Sequence, residues 1–163
     1  MVENEGKSTK GQFKEIFGTF PELLGNLINS PSYMRLELPS TLNQGIYVFY
    51  ENGIPMYVGR TGRKGRFKTR ILEHSRPSSG HNTATFAFLL AKEKAAKRKM
   101  NVERSRDILE KDSPFKELYL ETKKQVSNMK IKLIEIDNPI AQTLFEVYAA
   151  LELETPYNEW GTH

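Results

Sequence analysis

An arginine and a histidine stand one helical turn apart at Arg70 and His74, with Arg66 a turn upstream. On a helix the four-residue step lines all three along one ridge, while Phe67 and Ile71 form a neighbouring apolar ridge. Such a ridge suits an oxyanion. A guanidinium holds a phosphate through parallel hydrogen bonds and neutralises charge that grows on it, and an imidazole moves a proton near neutral pH. An exposed basic helix with an incidental histidine would read the same way, so the ridge gains weight only from its company. Between Thr143 and Leu151 an otherwise apolar run carries a single charge, Glu146. A carboxylate in such surroundings is costly unless it pairs with an arginine or binds a cation. Mg²⁺, which takes one or two carboxylates with water and phosphate oxygens, is one solution, and a neighbouring arginine is the other.

Two tyrosines complete the set. Tyr47 in Gly45-Ile46-Tyr47 and Tyr57 in Tyr57-Val58-Gly59 flank the turn Glu51-Asn52-Gly53. Strand alternation puts Tyr47 and Phe49 on one face and Ile46, Val48 and Tyr50 on the other. Whether the phenols meet depends on register. A two-residue Asn52-Gly53 turn pairs Tyr47 with Val58 and sends Tyr57 to the wrong face. A three-residue loop with Gly53 in the left-handed conformation pairs Tyr47 with Tyr57 and Val48 with Met56, and it is preferred because it sorts aliphatic side chains from phenols.

The elements that must position these groups follow from periodicity. Phe13, Ile16, Phe17, Phe20, Leu23, Leu24 and Leu27 predict one or two short helices interrupted near Pro21, after a loose segment 1–10. An extended connection covers 33–43 and the hairpin about 44–59. A Gly-rich basic loop, Arg60-Thr61-Gly62-Arg63-Lys64-Gly65, leads into a helix over about 66–76, closed by Pro77-Ser78-Ser79-Gly80. A long helical region is expected over 85–110, and Ser113-Pro114 starts another helix reaching about 127. Residues 129–136 alternate as a strand, with Leu133-Ile134 adjacent, and are expected at the sheet centre. Asn138-Pro139 opens a last helix over about 139–153, with Leu144, Val147, Tyr148 and Leu151 as its core stripe. The order predicts an α+β fold, a small mixed sheet flanked by helices.

Composition narrows the partners. The chain has 163 residues, 38% of them hydrophobic, and no cysteine, which removes disulfides and thiolate metal sites and favours a cytoplasmic protein. No apolar run approaches the roughly 20 residues that span a bilayer, and the N-terminus lacks the apolar centre of a signal peptide, so no membrane partner is expected. Net charge is +4, yet residues 60–106 hold fourteen Lys or Arg against three acids, leaving the remainder net acidic. A belt of that kind suits a polyanion, although solvated helix faces produce the same count.

Taken in order, Gly45-Ile46-Tyr47, Tyr57-Val58-Gly59, Arg70, His74, Glu146 and Asn158 resemble the GIY-YIG nuclease superfamily, over about residues 44–159. The resemblance implies a small, mainly antiparallel three-stranded sheet flanked by helices in a domain at 44–159, with 84–127 as a basic helical insertion, 1–43 as a partly helical N-terminal extension and 160–163 as a tail. It also implies a metal-dependent endonuclease that hydrolyses DNA phosphodiesters with an activated water and one Mg²⁺ or Mn²⁺. It implies catalytic roles for Tyr47, Tyr57, Arg70, His74 and Glu146, with Glu146 the metal ligand. Gly59, Arg60, Arg66, His81 and Asn158 fall on the substrate side. The segment from Tyr57 to Arg70 is longer than in many members, which keeps Arg66 a rival to Arg70. A nucleic-acid-binding module of the same fold that cuts nothing, and a nuclease acting on RNA, are the alternatives.

Overall fold

Asn52 and Gly53 both take positive φ, 52° and 79°, so the hairpin closes through a two-residue turn of the kind that Asn-Gly favours. The computed structural model describes residues 9–160. The strands are β1 (Gly45–Glu51), β2 (Ile54–Arg60) and β3 (Lys130–Glu135), in the antiparallel order β2-β1-β3. The three-residue loop is therefore corrected. Glu51 faces Ile54 and Tyr50 faces Pro55, but Phe49 faces Tyr57, Val48 faces Val58 and Tyr47 faces Gly59. Met56 is the extra residue of a bulge. Proline lacks the donor that a ladder needs, and bulges are where strands accommodate it. The added residue shifts parity by one, so Tyr47 and Tyr57 share a face although they are not opposite each other.

The centre of the sheet is β1, not the 129–136 strand as expected. Five consecutive residues of β1 from Gly45 are buried, whereas the outer edge of β3 pairs, among the described residues, with Tyr33 alone, which exchanges backbone hydrogen bonds with Ile131 at 2.8 and 2.9 Å. Adjacent Leu133 and Ile134 reflect helices on both sheet faces, a condition that all three strands share.

One face carries Tyr47, Phe49, Ile131 and Leu133 and packs on α3 (Phe67–Glu73), α4 (Thr85–Lys97) and α6 (Ser113–Ser127) through Phe67, Ile71, Phe86, Phe88 and Phe115. The other carries Ile46, Val48 and Val58 and packs on α2 (Phe20–Asn29) and α7 (Pro139–Glu152) through Phe20, Leu27, Phe145 and Ala149, with α1 (Thr9–Gly18) alongside. The N-terminal extension and the 84–127 segment thus each supply core on one side of the sheet. The loose segment expected over 1–10 is corrected at Thr9 and Lys10, which begin α1, while positions 1–8, and 161–163 of the tail, lie outside the described residues.

Three helices differ from expectation. The 85–110 region breaks after α4 and resumes as α5 (Arg106–Lys111). Lys99 takes φ 59°, Met100 N–H reaches back to Ala95 and Lys99 N–H to Ala96, which is a Schellman ending built without glycine. The helix after the basic loop is shorter than 66–76: Arg66 precedes it and His74 closes it. On α7 the buried residues are Ala141, Gln142, Phe145, Ala149 and Ala150, while Val147 and Leu151 are exposed. Alanines bring that helix close to the sheet, a preference that an almost uniformly apolar segment hides from periodicity. Asn138 caps it, its side chain accepting from Ile140 and Ala141 N–H.

Candidate active site

Gly59 makes the first contact possible. A Cβ built there would lie 2.4 Å from the Tyr47 Cζ and hydroxyl, so the phenol crosses β2 where only glycine leaves room. Gly59 therefore lies beneath Tyr47 and presents no open surface to a substrate. Tyr47 ends 2.6 Å from Nε2 of His74, and both residues are fully buried. Burial pushes the phenol well above its usual pKa, and burial first, then the charge of Arg70, holds the imidazole well below its own. Both are neutral, and in the tautomer with its proton on Nδ1 the imidazole accepts the phenol hydrogen at Nε2. Nδ1 is buried and without a partner among the described residues.

Tyr57 lies beside this pair. Its half-buried ring meets the His74 ring at 5.3 Å and stacks on Phe86 at 5.0 Å with 8° between planes. Its phenol pKa is pushed up to about 12, by burial first and then by the charge of Glu146. Asn158 holds the strand that carries it. The amide accepts from Val58 N–H at 2.9 Å and donates to Val58 C=O at 2.8 Å, and Thr155 donates to the same Oδ1. Asn158 thus acts as an extra rung on the edge of β2, with its amide committed to backbone rather than open to substrate. A second glycine-free Schellman ending, with Glu154 at φ 51°, turns the chain toward that edge.

Glu146 comes from α7, one turn after Gln142. Gln142 is fully buried, donates to Ile136 C=O at 2.8 Å and accepts from Gly62 N–H at 3.3 Å, pinning the basic loop. The Glu146 carboxylate accepts from Arg60 Nε at 3.0 Å. Of the two solutions open to a carboxylate there, the arginine is the one seen. Burial still raises the Glu146 pKa, against the opposing charges of Arg60 and Arg70. The charges of Arg70 and Glu146 act on both tyrosine phenols, which places the four groups in one electrostatic neighbourhood.

Arg70 and Arg66 face an open cleft of roughly 610 Å³ between the basic loop and Asn82-Thr83. Arg70 Nη1 donates to Thr83 C=O at 2.7 Å and lies 3.6 Å from Glu73, while Arg66 Nη2 donates to Glu73 at 2.5 Å. Sequence reasoning passed over Glu73, although it is the sole acid between residues 60 and 92. The expected ridge is divided: Arg66 and Arg70 turn to the cleft, and His74 turns into the core.

His81 stands apart, with Nδ1 2.5 Å from Glu110 and Nε2 3.6 Å from Asp107 on α5. These three form a group whose ligand atoms lie within 4.8 Å of one another. The carboxylates approach opposite nitrogens of one ring, however, Glu110 within hydrogen-bond distance and Asp107 beyond it, rather than converging with one nitrogen on a single point. The basic belt is also largely paired at home. Lys94 and Arg98 face Glu121, Lys97 faces Glu93, Arg104 faces Asp112 and Arg106 faces Glu159. Arg63, which lines the cleft, and its neighbour Lys64 are exposed and make no ion pair among the described residues, and the same holds for Arg76, Lys92 and Lys99 away from the cleft lining.

Among the described residues no helix is long and apolar enough to cross a membrane. In comparisons with known proteins no family model, no curated protein and no solved structure matches the chain.

Proposed function

We propose that this protein is a divalent-metal-dependent endonuclease that hydrolyses phosphodiester bonds of DNA, as its resemblance to the GIY-YIG nucleases implies. The observation that carries the proposal is convergence. Tyr47 from β1 and Tyr57 from β2 both meet His74 at the end of α3, the charges of Arg70 from α3 and Glu146 from α7 act on both phenols, and Arg70 lines the basic cleft.

Each group has a task that its surroundings suit. Arg70, already anchored by Thr83, offers its remaining N–H groups to a phosphate and neutralises the charge that grows there. Tyr47 with its high pKa is a poor base alone, but its hydroxyl can take a proton from water while passing its own to the neutral Nε2 of His74. Both are covered, and Tyr57, the half-buried ring against His74, is the side chain whose shift would admit water. Glu146 fits a cation ligand on one condition, that the exposed Arg60 swings away from a carboxylate that is itself largely covered, so that the cation takes over the pairing which the arginine supplies. A Mg²⁺ or Mn²⁺ bound there would supply Lewis-acid stabilisation of the phosphate oxygens.

The pair between Arg60 and Glu146 favours one second reading, a nucleic-acid-binding module that does not cut. Single-turnover assays on a labelled DNA duplex separate the two. The nuclease reading expects Mg²⁺-dependent cleavage that Glu146→Ala and Arg70→Ala reduce at least a hundredfold, with binding largely kept by Glu146→Ala. Binding without cleavage of DNA or RNA in any metal supports the module instead.

A further inference from the structure

Glu73 is an acid placed where the proposed function needs an anion to arrive. Its two oxygens face two guanidinia, Oε1 at 2.5 Å from Arg66 and Oε2 at 3.6 Å from Arg70, in the cleft that Arg63 and Thr83 also line. Two oxygens bridging two arginines is the arrangement that a phosphodiester would make with the same side chains. We propose that Glu73 is the internal counter-ion of this subsite: it holds the position of a substrate phosphate and is exchanged for it. The inference rests on the reading of Arg70 as a phosphate ligand.

The contacts show how the exchange runs. Arg70 keeps its better bond to Thr83 whether or not Glu73 is present, so entry of a phosphate breaks mainly the pair with Arg66, whose side chain is 45% exposed. Exposed pairs of this sort are worth little and yield readily. A lone phosphate still competes with a tethered carboxylate for the same donors. A polynucleotide brings further phosphates to Arg63 and Lys64 and wins that competition more easily. After cleavage the carboxylate returns and helps to expel the terminal phosphate.

The opposite role, a carboxylate that orients the arginines, changes the sign of the result, and Glu73→Gln separates the two. Binding is measured in EDTA, at low ionic strength, with inorganic phosphate by calorimetry and with a short DNA oligonucleotide by fluorescence anisotropy. Removing one charge near the subsite should tighten both by about five- to tenfold and steepen the salt dependence by about one phosphate contact. Glu117→Gln, an exposed acid on α6, should change both less than twofold. Should Glu73→Gln not fold, Glu73→Asp, which withdraws the charge by one methylene, should tighten phosphate by two- to threefold. Unchanged or weaker phosphate binding, or none in either protein, overturns the inference. Because the readout needs no cleavage, tighter phosphate binding in a chain that cuts nothing removes the nuclease reading alone. Unchanged phosphate binding in a chain that cuts removes the role of Glu73 alone.

Discussion

Replacing Gly59 by alanine tests the construction of the site at its narrowest point. The new methyl would stand 2.4 Å from the Tyr47 Cζ and hydroxyl, about 1 Å inside ordinary contact, and Tyr47 is fully buried with no slack around it. Forcing the ring aside costs about 1–3 kcal/mol by overpacking. Parting its hydroxyl from His74 leaves buried polar groups unmatched at about 1–3 kcal/mol more. Alanine returns roughly 0.5–1 kcal/mol through lower chain entropy in a strand. The net loss is about 2–4 kcal/mol, on the order of 10 °C in Tm for a chain of this size. Urea unfolding followed by circular dichroism measures it, and a double-mutant cycle assigns the cause. In a Tyr47→Leu background Gly59→Ala should cost almost nothing, whereas in Tyr47→Phe, which keeps the ring, most of the steric part should persist. A loss below about 0.5 kcal/mol, or one that simply adds to Tyr47→Leu, would refute the claim that Gly59 exists to seat the phenol.

His74 makes stability depend on pH. Its folded pKa lies well below 6.5, so as pH falls through that value the unfolded chain takes up a proton that the folded chain refuses. The contribution is complete above neutrality and is lost below about pH 6.5, at up to about 1.4 kcal/mol per pH unit. Urea midpoints between pH 5 and 7 should show that slope and His74→Gln should flatten it; equal slopes in both would argue against a neutral buried imidazole. Asn158→Ala removes both bonds to Val58 and the one from Thr155, and should cost about 2–3 kcal/mol with a matching fall in any cleavage activity. Full stability of that variant would show that the edge of β2 needs no such rung. Arg60→Ala frees the largely covered Glu146 carboxylate from a competitor and should tighten Mn²⁺ on the order of tenfold in calorimetry, because a carboxylate mostly removed from water gains more from a partner than an exposed one. Weaker Mn²⁺ binding would mean that Arg60 assists the cation site instead.

How much of this was legible in the sequence varies residue by residue. The shared face of Tyr47 and Tyr57 was reached through the wrong register. Asn52-Gly53 is the two-residue turn signal and Pro55 marks the bulge, so the two signals together gave the answer that neither gives alone. Glu73 was visible as a solitary acid in a basic run. The partnership of Arg60 with Glu146 was not, because it joins positions 86 residues apart, and the Asn158 clamp spans 100. Lys99 and Glu154 end their helices in left-handed conformations with ordinary side chains, which leaves no glycine to announce the turn. The α7 stripe was misplaced because alanine, leucine and valine look alike to a periodicity count, while only alanine lets the helix approach the sheet.

The central claim is that Tyr47, Tyr57, His74, Arg70 and Glu146 together hydrolyse a phosphodiester with the help of a divalent cation. Its most direct test is the conversion of supercoiled plasmid to the nicked form by the full chain, with Mg²⁺ or Mn²⁺ and with EDTA, beside Glu146→Ala. Nicking that appears with metal, stops with EDTA and disappears in the variant is the result expected. Intact plasmid in every metal, or nicking that survives Glu146→Ala, would contradict it.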